Sequence, residues 1–159
     1  MENLLTWPLV LVILVVLGLV LMLGLTCLGS AIGVSNAANT LIGGMRKNPD
    51  MFGKGLILAA LPSTQGLYGF GAFFLFLLNL KDMASLTYMQ GVLVFAGGVA
   101  LGVAGFYSAL YQAKVASNGI TEISNGRDVF VQSLILCVFP ELYAILTFAA
   151  AFLVWVFAL

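Results

Sequence analysis

The chain has 159 residues, of which 62% are hydrophobic and only 8% are charged, and it contains no histidine. Soluble domains carry about 25% charged residues, so the composition excludes a single soluble domain, and its apolar content excludes a disordered chain. The six basic and six acidic residues cancel, which excludes nucleic-acid binding driven by a net positive charge. An integral membrane protein built almost wholly of membrane spans remains.

Charged residues divide the sequence into four long apolar runs. Since a bilayer core is crossed by about 20 apolar residues in a helix, we predict an all-α membrane protein with four helices, at 7–44, 54–80, 88–123 and 130–158. They form two helical hairpins, 1–80 and 81–159. The first run is far longer than the roughly 7–15 apolar residues of a signal peptide, so we expect it to be retained as a span.

The basic residues favour one orientation. Arg46, Lys47, Lys54 and Arg127 all lie beside the two loops 46–53 and 124–129, whereas the opposite side has only Lys81. The positive-inside rule then places both loops in the cytoplasm and both termini outside.

The two halves of the chain resemble each other. An alignment of the halves that places Gly29 on Gly105 also places Ala37 on Ala113, while the register one position shorter pairs Leu67-Tyr68 with Leu142-Tyr143. We therefore predict a duplicated hairpin whose register varies by one position in the last helix.

The helices within each hairpin differ in side-chain size. The first and third carry small residues four apart, which let helix backbones approach closely in lipid; the second and fourth carry many aromatic residues. This predicts small-residue helices in an inner layer and aromatic helices in an outer, lipid-facing layer. Because four helices make a thin bundle, we expect a closed homo-oligomeric ring. Cys27 and Cys137 lie in apolar runs, and we expect both to be small buried side chains.

One acidic residue lies deep inside a span. Glu141 is about a dozen residues into the last helix, or roughly 15–18 Å from its start. Carboxylates at this depth are costly and by default functional. Burial favours the protonated acid and a bound cation favours the anion, so Glu141 can exchange a proton or a cation. A neutral glutamate that only joins helices by hydrogen bonds is the structural alternative.

The second and third helices offer oxygen atoms to a cation held there. Thr64, Gln65 and Tyr68 share one helical stripe with Leu61, and Gln112 lies in the third helix. Pro62 should push Leu61 away from helical geometry and free local backbone oxygens. Glu141, Gln65, Gln112, the Thr64 hydroxyl and a backbone carbonyl are hard ligands with one negative charge, which suits a monovalent cation. Ordinary hydrogen bonding between helices is the alternative for the amides.

The sequence also allows predictions about the roles of three further residues. When the halves are aligned with Gly29 on Gly105, Gln65 is the equivalent of Glu141, which predicts one ion per four helices. Pro140 should kink the last helix and free the Leu136 carbonyl. Lys114 should extend toward the cytoplasmic loop, because it points away from Gln112 around the helix.

Three segments carry a resemblance to a known family: 61–70 (LPSTQGLYGF), 112–115 (QAKV) and 140–145 (PELYAI). The chain closely resembles, over essentially its whole length, the four-helix proteolipid (rotor ring) subunit of bacterial V-type ATPases. In sodium-transporting members, positions matching the Leu61 carbonyl, Thr64, Gln65, Gln112 and Glu141 hold the ion, and the match of Tyr68 hydrogen-bonds the glutamate. The resemblance therefore implies Na⁺ rather than H⁺. Pro140 departs from the pattern, which has a non-proline residue there.

The resemblance also implies a mode of action. Each copy in a ring would carry one ion on Glu141, and an arginine of the membrane stator subunit would displace that ion as the ring turns. A central stalk would dock on the cytoplasmic loops. The subunit itself would not be an enzyme, and the sequence contains no G-x-x-x-x-G-K-[ST] nucleotide motif.

Two other classes remain as alternatives. Small four-helix exporters, coupled to protons or sodium, also use one membrane glutamate, but they place it in the first helix, are shorter and lack a duplicated hairpin. A passive structural protein with four spans would leave Glu141 without a role.

Overall fold

The computed structural model describes residues 3–79 and 86–158, with side chains at 9–78 and 86–157, and every regular element in these ranges is helical. Lys81, the basic residue predicted on the side opposite the two loops, lies outside the described residues. The elements, in chain order, are α1 (Asn3–Met45), a 3₁₀ turn (Pro49–Met51), α2 (Phe52–Ala60), a 3₁₀ turn (Leu61–Ser63), α3 (Thr64–Asn79), α4 (Tyr88–Ser124) and α5 (Phe130–Ala158).

Four helical stretches of the described chain are long and apolar enough to cross a membrane. The all-α prediction is thereby confirmed, and the protein is a multi-pass membrane protein. Helix α1 begins at Asn3, four residues ahead of the predicted start at residue 7.

The second span tightens at Pro62 without breaking. Leu61 keeps helical dihedral angles (φ −52°, ψ −43°), and its N–H donates to the Leu58 carbonyl. The expectation that Pro62 pushes Leu61 out of helical geometry and frees the Leu58 carbonyl is wrong. Proline has no N–H to donate to the Leu58 carbonyl in an α-helical bond. For one turn the chain instead forms 3₁₀ hydrogen bonds between residues three apart, so the Leu61 N–H donates to that carbonyl.

Helices α1 and α4 pack face to face through glycines. A Cβ atom added to Gly98 would lie 2.1 Å from the Gly18 carbonyl oxygen, and one added to Gly102 would lie 2.5 Å from the Leu21 oxygen. A Cβ atom on Gly29 would lie 2.7 Å from the Phe106 Cα atom. Backbone therefore meets backbone along this interface, as small residues permit in membrane helices.

The aromatic residues of α3 and α5 divide between the surface and the interior. Phe70, Phe74 and Phe157 are largely exposed, which agrees with a lipid-facing layer, but Phe76 is fully buried against α1 and α4 side chains. Phe76 thus packs in the interior, where the small residues of α1 and α4 leave room that a large ring fills.

The two loops lie at the same end of the bundle and contact each other. The Lys54 ammonium group pairs with the Asp128 carboxylate at 2.9 Å, and Lys47 donates to the Asn125 side-chain oxygen at 3.2 Å. These contacts put both loops on one side of the membrane, as the predicted hairpins require.

The two cysteines differ in their surroundings. Cys137 is buried and Cys27 is exposed, so the expectation that both are buried is wrong for Cys27.

The neighbouring glycines of α4 offer a test of the close helix contact. We expect Gly98→Ala to lower the free energy of unfolding by about 1–3 kcal/mol, because its methyl group would overlap the α1 backbone. Gly97→Ala is the matched control, since the nearest atom to its added Cβ is Phe76 Cζ at 4.0 Å. Denaturant titration in micelles measures both. Equal stability of the two variants would contradict the proposed contact.

Candidate ion-binding site

Glu141 is held at both of its carboxylate oxygens. The Tyr68 hydroxyl on α3 donates to Oε1 at 2.7 Å, and the Gln112 amide nitrogen on α4 donates to Oε2 at 3.0 Å. Helix α5 begins at Phe130. Glu141 therefore lies about 17 Å from the loop end of its helix. Donors from two other helices thus meet a part-buried acid in the span.

The Gln112 amide links this acid to the rest of the cluster. Its nitrogen also donates to the Cys137 carbonyl at 3.0 Å, and its oxygen accepts from the Gln65 amide nitrogen at 2.9 Å. Both glutamine side chains are completely buried. Buried amides of this kind have to be hydrogen-bonded, since leaving one unpaired costs about 1–3 kcal/mol.

A second group of oxygen atoms lies at the 3₁₀ turn. The Thr64 hydroxyl is 3.0 Å from the Leu61 carbonyl oxygen and 3.4 Å from the Gln65 side-chain oxygen. A hard cation of the size of Ca²⁺ binds oxygen at about 2.3–2.6 Å, which places neighbouring ligands of one ion at separations similar to these. The Leu61 carbonyl also accepts the Thr64 N–H. The tight turn thus directs a carbonyl, a hydroxyl and an amide oxygen to one place.

All six residues singled out in the sequence belong to one hydrogen-bonded cluster. From the 3₁₀ turn onward, each residue is bonded to the next in the order Leu61, Thr64, Gln65, Gln112, Glu141, Tyr68. Gln112 departs from the expected role of an oxygen ligand. Its oxygen accepts from Gln65 and its nitrogen faces Glu141. A half-turn of the amide exchanges the two atoms, and only then does Gln112 offer an oxygen toward the acid.

Pro140 leaves α5 as one helix from Phe130 to Ala158. Near the proline, the carbonyls of Cys137 and Pro140 accept from side chains of α4, while the expected kink and the free Leu136 carbonyl stay predictions. Side chains on α4 reach these two oxygens because they face the bundle.

The site has few charges. The described residues contain no group of three or more His, Cys, Asp or Glu side chains, so a multi-carboxylate site for a divalent metal is absent from them. One carboxylate among neutral oxygens matches a singly charged cation.

A family model for the C subunit of ATP synthase matches the chain twice, at residues 17–76 and 95–154. The chain belongs to this ATP synthase proteolipid family. The double match confirms the duplication that the sequence predicts, while the exact register between the halves stays a prediction.

Two relatives are about one-third identical to the chain over the residues that align. The V-type sodium ATPase subunit K of Enterococcus hirae is 34% identical over 126 residues, which cover 79% of the chain and 80% of the relative. The A-type ATP synthase subunit K of Methanocaldococcus jannaschii is 35% identical over 139 residues, covering 86% of the chain and 60% of the relative. The resemblance to the rotor proteolipids is confirmed, and the exporter alternative is not favoured.

Ser108 is part of the cluster, and the sequence reasoning missed it. Its hydroxyl on α4 accepts from the Gln65 amide nitrogen at 3.0 Å and donates to the Pro140 carbonyl at 2.8 Å. It thereby joins α3 to α5 beside Glu141. The available signal was its position: Ser108 lies four residues before Gln112 and so on the same face of the helix.

Ser108→Ala should lower the free energy of unfolding by about 1 kcal/mol, because the Gln65 nitrogen and the Pro140 carbonyl each lose a partner. Ser35→Ala is the control, since that exposed hydroxyl donates only within its own helix, to the Ala31 carbonyl. Denaturant titration in micelles compares the two. An equal loss in both variants would mean that the Ser108 bonds do not tie the helices together.

Proposed function

We propose that this chain is a rotor-ring subunit of a V-type or A-type ATPase, and that each copy carries one Na⁺ on Glu141 across the membrane. The observation that carries the proposal is the buried acid itself, with partners from α3 and α4 on both of its oxygens. An acid fixed in this way within a span is suited to repeated loading and release of one positive charge.

The neutral oxygens near the acid support Na⁺ as the cargo. Thr64, Gln65 and the Leu61 carbonyl contribute oxygen atoms beside the site. Gln112 contributes a fourth after a half-turn of its amide, which gives up the bond from the Gln65 nitrogen while that nitrogen keeps its bond to Ser108. A proton needs only the carboxylate, whereas a desolvated Na⁺ needs several oxygens in place of its water shell. The name of one relative, V-type sodium ATPase subunit K, agrees with this cargo.

The proposed ring and its stator and stalk partners follow from the family. Copies of the chain form a closed homo-oligomeric ring in the cell membrane, with α1 and α4 inside and α3 and α5 outside. An arginine of the membrane stator subunit displaces the ion from Glu141, and the central stalk docks on the loops 46–53 and 124–129 at the cytoplasmic side, with both termini outside. The subunit is not catalytic and binds no nucleotide.

The two hairpins, 1–80 and 81–159, share one ion site. Gln65, which corresponds to Glu141 in the predicted alignment of the halves, donates to Gln112 and so supports the acid. The first hairpin therefore supplies a neutral amide where the second supplies the charge, and the ring carries one ion for every four helices.

Labelling with a carbodiimide tests the proposal, since these reagents attack protonated carboxyl groups in apolar surroundings. We expect wild-type protein to be modified at Glu141 and Na⁺ to protect it, because Na⁺ binds the carboxylate that the proton leaves. Protection should weaken as the pH falls, since protons and Na⁺ compete for the same oxygens. Mass spectrometry of the labelled chain gives the extent at each Na⁺ concentration.

Two variants complete this experiment. Glu141→Gln should abolish the labelling, whereas Glu122→Gln should leave it unchanged, since Glu122 lies near the loop and pairs with Arg127. Labelling of Glu141 that responds to pH but not to Na⁺ would contradict sodium transport and indicate a proton-carrying rotor.

Replacing one neutral ligand tests the oxygen set. Thr64→Val keeps the shape of the side chain and removes its hydroxyl, so the Na⁺ concentration for half-protection of Glu141 should rise about tenfold or more. Thr147→Val is the matched control, because the Thr147 hydroxyl bonds only to carbonyls of its own helix. Unchanged protection in the Thr64 variant would remove that hydroxyl from the ligand set.

A further inference from the structure

Phe148 on α5 lies against the tyrosine that donates to Glu141, although its own side chain has no polar atom to offer the ion site. The centres of the Phe148 and Tyr68 rings are 5.9 Å apart, and the ring planes are inclined by 39°. Aromatic rings attract each other at separations of about 4.5–7 Å. The Tyr68 hydroxyl meanwhile donates to Glu141 Oε1 at 2.7 Å. One tyrosine of α3 therefore contacts α5 at two places.

The two contacts lie on one face of α5. Glu141 and Phe148 are seven residues apart, so they point in nearly the same direction from the helix and are separated by about 10 Å along it. Ala144 lies between them and is fully buried, and its methyl group leaves room beside the helix for a ring from α3. Tyr68 thus lies along α5, with its hydroxyl toward the loop end and its ring against Phe148.

The opposite helix leaves space for the Phe148 ring. Gly71 follows Tyr68 by three residues on α3, and a Cβ atom added to it would lie 3.6 Å from Phe148 Cε2 and 3.8 Å from Cζ. A methyl group would therefore fit there, whereas a larger side chain would meet the ring. Phe148 also packs, partly buried, against the core cluster that contains Phe76. Neighbours on both helices thus fix the position of this ring.

We propose that Phe148 is a positioning residue, which keeps the Tyr68 hydroxyl on Glu141 and so prepares the acid for its cation. Phe148 lies on the side of the Tyr68 ring away from Glu141, and it limits movement of the ring in that direction. A carboxylate that is already oriented loses less freedom when a cation binds, so it binds the cation more tightly. This inference rests on the proposed function, in which Glu141 carries the ion.

Protection of Glu141 from carbodiimide tests the role of Phe148 in the purified, full-length oligomer. Phe148→Leu keeps an apolar side chain and removes the ring, so the Na⁺ concentration for half-protection of Glu141 should rise about three- to tenfold. Phe152→Leu is the matched control. Phe152 lies one turn further along α5, and its ring faces Trp155, with 5.4 Å between the ring centres, so this variant should leave the half-protection concentration unchanged.

A second set of variants separates positioning from a general loss of packing. Tyr68→Phe keeps the ring that faces Phe148 and removes the hydroxyl that binds Glu141. If Phe148 acts through this hydroxyl, Tyr68→Phe should raise the half-protection concentration by itself, and Phe148→Leu should raise it no further in that background. A purely structural role would add the same factor in both backgrounds, and that result would overturn the proposal. Half-protection of Phe148→Leu at the wild-type Na⁺ concentration would overturn it as well.

Gly71 gives the same test from the other helix if Phe148→Leu fails to assemble. Gly71→Val should displace the Phe148 ring and raise the half-protection concentration by a similar factor, whereas Gly71→Ala should not, because its methyl group fits beside the ring. Equal half-protection concentrations in the two Gly71 variants would contradict the role of Phe148.

The labelling rate in Na⁺-free buffer distinguishes a failure of this inference from a failure of sodium transport. Wild-type protein that Na⁺ does not protect would contradict the proposed cargo. Phe148→Leu should nevertheless be labelled about threefold faster than wild type, because Oε1 of Glu141 is then less well covered by the Tyr68 hydroxyl. Equal labelling rates would overturn the positioning role, whichever cation the acid carries.

Discussion

A carboxylate placed inside a membrane requires partners, and the arrangement of three helices follows from the need to supply them to Glu141. Tyr68 on α3 and Gln112 on α4 each bind one of its oxygens, at 2.7 Å and 3.0 Å. Gln112 is itself fixed by Gln65, and Gln65 by Ser108. Loss of any member leaves a buried polar atom unpaired, so the cluster holds together as a network.

The helix packing makes this network possible. Because the glycines of α1 and α4 bring two backbones into contact, the inner pair of helices is thin, and α3 and α5 can both approach α4. Helix α3 is also tied to α1, since the Gly66 N–H donates to the Ser30 hydroxyl at 2.8 Å. The 3₁₀ turn at Pro62 then begins α3 so that the Gln65 side chain reaches Ser108 and Gln112 on α4. Small residues thus form the scaffold, while the polar stripe of α3 and the acid of α5 form the site.

The number of membrane helices and the position of the site could be predicted from the sequence, because it contains two strong signals. Long uncharged runs fix the number of membrane helices, and a single acid in such a run marks the site. The details depended on tertiary contacts. Proline rules predicted a disrupted Leu61, but the surrounding helix kept it helical. Ser108 looked like any small residue of α4 until the carbonyl of Pro140 was placed beside it. The position of Lys114 in the span predicted that it extends toward the loop, but its ammonium group lies 4.5 Å from the centre of the Tyr111 ring, one turn further from the loop end.

The central claim is that Glu141 loads one Na⁺ per chain. Equilibrium dialysis of the purified oligomer with radioactive sodium, at neutral pH and in parallel with Glu141→Gln, measures this directly. Saturation at one Na⁺ per chain in the wild type, with none bound by the variant, is the predicted result. Equal sodium binding by the two proteins, or no saturable binding by the wild type, would contradict the account.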